Sequence, residues 1–90
     1  MTTSVLLTGA SSGLGAALAR AYARPGAVLH LSGRDHARLD AVAAGCRGLG
    51  AEVFATRLDV TDAPAVAAWV GDSERRRPLD LVIANVRWIW

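Results

Sequence analysis

Residues 4–8 (SVLLT) form a short apolar, partly β-branched run that ends at Gly9-Ala10-Ser11-Ser12-Gly13-Leu14-Gly15. Residues 14–24 follow with Leu14, Ala17, Leu18, Ala21 and Tyr22, apolar at i, i+3, i+4, i+7 and i+8, the face of a helix. A buried strand that passes through a glycine loop straight into a helix is the opening of an α/β unit. Pro25-Gly26 stops the helix.

The same alternation continues to the end of the chain. Residues 27–32 (AVLHLS) read as a second strand, and residues 35–48 as a helix with Leu39, Val42, Ala43 and Cys46 on one side. Asp35 stands at its N-cap, and Gly48 and Gly50 end it. Residues 52–58 (EVFATRL) read as strand three. Thr61 or Asp62 caps a third helix, with Pro64 in its first turn and Val66, Trp69 and Val70 as its stripe. Residues 79–84 (LDLVIA) are strand four. The order β-α-β-α-β-α-β requires a parallel sheet with right-handed crossovers. The doubly wound version has strand order 3-2-1-4, two helices on one face and the third on the other. At 90 residues there is room for one domain or part of one.

Composition removes several function classes. All 10 basic residues are arginine, so every chemistry that needs a lysine amine is excluded, including a P-loop lysine and a Schiff base. The net charge is only +2, and Arg75-Arg76-Arg77 has no interleaved aromatics, so it reads as a solvated loop and not as a nucleic-acid surface. No apolar run approaches the ~20 residues of a membrane span. The single cysteine, Cys46, fits a reducing cytosol, and a cytoplasmic location is expected. His30 and His36 are neither paired nor spaced as metal ligands, so no metal site is expected.

The loop carries the chemistry. Glycines allow a tight turn, close approach of backbone N–H groups to a pyrophosphate, and close helix–strand packing. The helix N-terminus adds unpaired N–H groups and a partial positive charge. The spacing, Thr8-Gly9-x-x-x-Gly13-x-Gly15, resembles the cofactor loop of the short-chain dehydrogenase/reductases. Gly26-Ala27, Ser32-Gly33-Arg34 and Leu58-Asp59-Val60-Thr61 agree with that family in order, and the likeness runs from Ser4 to Asn85. It implies a partial Rossmann fold, with residues 1–85 as an NAD(P)-binding half-domain and 86–90 as an atypical tail.

The resemblance also implies a set of cofactor-binding residues: Gly9, Ser11, Ser12, Gly13, Leu14, Gly15, Arg34, Asp59, Val60 and Asn85. Arg34, just past strand two, would pair with the 2′-phosphate of NADP as the only nearby cation. Gly33 stands where NAD-preferring relatives carry an acid, so NADP is favoured over NAD. Asp35 could serve either NAD or the helix cap. Asp59 would accept from the adenine amine, or turn inward in an Asx-type turn. Val60 would offer its backbone N–H to the adenine ring, and Asn85 would tie the sheet and line the site.

The likeness fails after Asn85. The family continues Ala-Gly, whereas this chain has Val86-Arg87-Trp88-Ile89-Trp90. A single-base insertion in a GC-rich gene and a truncation both account for the change, and an apolar tail covering the sheet is the plain alternative. The family's catalytic serine, tyrosine and lysine would lie downstream. The only tyrosine, Tyr22, has Gly26 four residues on, where a lysine is needed, and reads as core. No residue is therefore expected to be catalytic, and the chain alone is expected to be inactive. Three readings stand: the NADP-binding part of an oxidoreductase, a stand-alone nucleotide-binding module that self-associates through strand four's edge, and a non-functional product.

Overall fold

The structure is a computed structural model, and it describes residues 3–85. Four strands and three helices alternate: β1 (Thr3–Thr8), α1 (Gly13–Tyr22), β2 (Ala27–Gly33), α2 (His36–Gly48), β3 (Glu52–Arg57), α3 (Ala63–Arg76) and β4 (Leu81–Ala84). The sheet order is β3-β2-β1-β4 and every pairing is parallel, as the alternation predicted. Each helix starts on a side-chain cap. Ser12 accepts from Gly15, Asp35 from Arg38 and Asp62 from Ala65, so orphan N–H groups of the first turns are satisfied locally.

Strand side chains alternate between two layers. Val5 and Leu7 of β1, Leu29 and Leu31 of β2, and Val53 of β3 pack against α1 and α2. The α2 stripe is as predicted: Leu39, Val42, Ala43 and Cys46 are all buried, and burial pushes the Cys46 thiol pKa up. On the opposite face Leu6 meets Leu58 and Trp69, so α3 does cross over.

Three sequence expectations need correction. The buried side of α1 is Gly15, Ala16 and Ala19, whereas Leu14 is 65% exposed and Ala17 and Ala21 face water. At Gly15 size decides this rather than hydropathy, because a Cβ there would meet the Gly9 carbonyl, while Leu18 of the expected face does pack on the core. Tyr22 is only half-buried, although it does pack on the core. The arginine run is not a loop: Arg75 and Arg76 form the last turn of α3 and Arg77 caps it. There Arg76 lies over the Phe54 ring, its Cζ 4.2 Å from the centroid. Finally, β4 starts at Leu81; just before it Asp80 joins β1 twice, its N–H donating to the Ser4 carbonyl at 2.8 Å and its carboxylate accepting from the Ser4 N–H at 2.8 Å. The tail at 86–90, including Arg87 where the family has glycine, lies outside the described residues.

Candidate dinucleotide site

The loop between β1 and α1 is held from three sides. Ala10 N–H donates to the Ser32 carbonyl at 2.8 Å, which extends the β1–β2 pairing by one step. Gly9 turns the chain with φ +66, a conformation that favours glycine, and a Cβ there would meet the Asn85 carbonyl at 2.4 Å. Ser12 Oγ donates to the Gly9 carbonyl at 2.9 Å and accepts from Gly15 N–H at 3.2 Å. It also accepts from Asn85 Nδ2 at 3.0 Å, while the Asn85 backbone N–H reaches Thr8 Oγ1 at 3.0 Å. Asn85 therefore ties β4 to the loop, and the Ser12 hydroxyl is spent on architecture rather than left facing outward.

The three glycines have different reasons to be glycine. A Cβ on Gly15 would fall 1.9 Å from the Gly9 carbonyl oxygen, so that position is set by helix–loop contact. Gly13 is the opposite case: beyond its chain neighbours and the backbone of its own helix, no atom lies within 4 Å of where its Cβ would be, and its φ is not in the left-handed region. Neither the turn nor the packing requires a glycine there. What remains is open space above the first turn of α1, where Gly13 and Leu14 N–H groups have no intrahelical acceptor. A cradle left open beside unpaired donors at a helix N-terminus fits an anionic phosphate group.

At the ends of β2 and β3 a cavity of about 520 Å³ is lined by Arg34, Asp35, Arg57, Leu58 and Asp59. Asp35 is the cap of α2, accepting from Arg38 N–H at 3.0 Å, so its structural role is the one observed. Asp59 takes Thr61's N–H at 2.9 Å and its hydroxyl at 2.7 Å, the Asx-type turn. These two bonds, the backbone one first, hold its carboxyl below the usual range, with a smaller pull from Arg34. Its other oxygen, Oδ2, lies 3.9 Å from Arg34 Nε, so one carboxylate faces both the turn and the cavity. Val60 follows, half-buried. Gly33 is closed over by Ser11, whose Oγ would lie 2.7 Å from any Cβ added there.

The structure thus gathers the predicted residues into two neighbouring groups, the loop with Asn85 and the β2–β3 end with Arg34, Asp59 and Val60. It also shows one that sequence reading missed. Arg57 lines the cavity with Arg34, so Arg34 is not the only nearby cation. The clue was a cross-strand pairing, Gly33 with Arg57, which no local pattern reveals. His36 and the buried His30 and Cys46 take no part in this site. Among the described residues no cluster could hold a metal ion, and no helix is long and apolar enough to cross a membrane.

Comparisons with known proteins converge. The sequence profile of the short chain dehydrogenase family matches residues 3–88. Gluconate 5-dehydrogenase of Gluconobacter oxydans (strain 621H) is 41% identical over 81 residues, covering 89% of this chain and 32% of that protein. Galactitol 2-dehydrogenase (L-tagatose-forming) of Cereibacter sphaeroides is 41% identical over 78 residues, 86% of this chain and 30% of its own. The chain spans about a third of the length of these relatives. Among solved structures, an alcohol dehydrogenase from the archaeon Thermococcus sibiricus, complexed with 5-hydroxy-NADP, superposes with TM-score 0.81 at 37% identity, over 91% of this chain and 36% of that one. A Serratia marcescens short-chain dehydrogenase/reductase variant gives 0.89 at 27% identity, over 98% and 37%.

Proposed function

The chain belongs to the short-chain dehydrogenase family, and we propose that it is the NADP-binding part of an oxidoreductase acting between a carbonyl and an alcohol. The observation that carries this reading is Gly13, a glycine that the fold itself does not need. Gly13 and Leu14 offer backbone N–H groups to the pyrophosphate, and Gly9 and Gly15 keep the loop tight beneath it. Asp59 and Val60 receive the adenine, the carboxylate its exocyclic amine and the N–H a ring nitrogen. Ser11 and Asn85 line the same cleft. When bound, the dinucleotide supplies or accepts the hydride. This chain's residues bind and orient; none is assigned to proton transfer, since Tyr22 packs on the core of the α1 side.

Preference for NADP over NAD rests on two neighbours at the end of β2. Arg34 offers a guanidinium to a 2′-phosphate. A carboxylate at position 33, the NAD arrangement, would force Ser11 to move. A hydrogen bond to a charged group contributes about 1.5–3 kcal/mol, so Arg34→Ala should lower the NADP:NAD affinity ratio about tenfold or more. Titration of both cofactors against the two proteins measures this, and an unchanged ratio would count against it.

A second reading has one specific support. On β4, an edge strand among the described residues, Val82 is 56% exposed, which suits self-association through that edge. Sedimentation over a range of concentrations tests it: a constant monomer mass would refute it.

A further inference from the structure

Resting on the dinucleotide reading, we infer that Arg57 is a second specificity-determining arginine for the 2′-phosphate, gripping it from β3 while Arg34 does so from β2. Strand register places it there. β2 and β3 pair from Val28↔Glu52 to Gly33↔Arg57, so Arg57 ends its strand directly beside Gly33. Alternation then sets its direction. Val53 is buried on the α1/α2 side and Ala55 packs against the same cluster, so position 57 projects to that side too. Leu29 and Leu31 put Gly33 on the same side. Arg57 thus projects to the same side of the sheet as a side chain at position 33 would, one strand away, and lines one cavity with Arg34.

The charges in the cavity are unequally engaged. Asp35 caps α2 and lies 3.5 Å from Arg38 Nε. Asp59 holds Thr61 and reaches Arg34 at 3.9 Å. Among the described residues Arg57 has no carboxylate within 4.0 Å. Arg34 is therefore already partly neutralised by Asp59, whereas Arg57 is not. A phosphate dianion entering here meets its larger unbalanced positive charge at Arg57. Two guanidiniums approaching from adjacent strands also match the several acceptor oxygens of a phosphate better than one does.

The test uses two small probes that differ only in the group at issue, adenosine 2′,5′-bisphosphate and adenosine 5′-monophosphate. Calorimetric titration of the 90-residue chain compares wild type with Arg57→Gln, and with Arg24→Gln as a remote loss of one positive charge. Arg57→Gln should weaken the bisphosphate about tenfold or more and leave the monophosphate within about twofold. Arg24→Gln should alter neither, and all three should melt at the same temperature. Equal losses for both probes, a loss shared by Arg24→Gln, or a lowered melting temperature with the loss would overturn the assignment. A wild type that binds both probes while Arg57→Gln behaves identically overturns this inference alone. A wild type that binds neither overturns the dinucleotide reading and this inference with it.

Discussion

The two faces of the sheet are built from different material. Under α1 and α2 the buried cluster is apolar throughout, from Val5 and Leu7 through Leu29, Leu31, Leu39 and Val42 to Val53. Under α3 the buried apolar members are Leu6, Val28, Leu58 and Trp69, and Ser4, His30 and Ser73 are buried alongside them. Among the described residues, three buried side-chain atoms lack a hydrogen-bond partner, Ser32 Oγ, Trp69 Nε1 and Ser73 Oγ, and two of these belong to α3. Ser32 shares its side of β2 with His30. The contrast separates stability from tolerance. The first face gains from every apolar side chain removed from water, at about 25 cal/mol per Å². The second face holds polar groups whose burial costs free energy unless each finds a partner.

Replacing a large residue on the apolar face should have the largest effect. Leu31→Ala, at a site with 0% exposure, should cost about 2–5 kcal/mol, read as a lower urea midpoint at constant slope. A cost under about 1 kcal/mol would show that this face is not the main source of stability.

The polar face should respond to acid. Arginine can only donate, so Arg76 Nη1, 3.3 Å from His30 Nδ1, requires that nitrogen to be unprotonated. Nε2–H is then the donor to Ser4 Oγ at 3.0 Å. Burial first, and Arg76 second, hold the His30 pKa below its ordinary 6.5, while Glu52 pulls it up. The unfolded chain thus binds a proton that the folded chain resists. This contribution to stability is complete above about pH 6.5 and is lost as pH falls through the lower folded-state value. His30→Gln removes the titration, so its stability should fall less than wild type's between about pH 7 and about pH 5. Parallel curves for the two proteins would contradict the account.

The smallest effect should have the opposite sign. Ser73→Ala deletes a buried hydroxyl without a partner and adds helix propensity, and should stabilise by about 1 kcal/mol. Destabilisation would mean that Ser73 has a partner and that the second face is better satisfied than its hydrogen bonds indicate.

The same contrast explains what could be read from sequence. Strand order and the α2 stripe were legible because apolar runs alternate with helical patterns along the chain and Leu39, Val42, Ala43 and Cys46 obey one period. The α1 face was not, because Gly15 and Ala16 pack by being small and hydropathy patterns do not register size. Arg75–Arg77 looked like a loop by charge, yet Arg76 spreads its guanidinium over Phe54, a partner distant in sequence. In the site, the glycine spacing and Arg34 were visible locally. Arg57 was not, since its place depends on strand register, and neither was the tie from Asn85 Nδ2 to Ser12 Oγ, which joins residues 73 apart.

The proposed dinucleotide site rests most heavily on the open space above Gly13. Gly13→Leu tests that directly, because the side chain would enter a volume in which the protein, beyond the chain neighbours and the backbone of its own helix, places nothing within 4 Å of the Cβ. Unfolding free energy and NADP affinity should be measured on the same preparation. The account predicts stability within about 0.5 kcal/mol of wild type, as for ordinary surface changes, with NADP affinity reduced at least about tenfold. Undiminished NADP binding by a stably folded Gly13→Leu protein would contradict it.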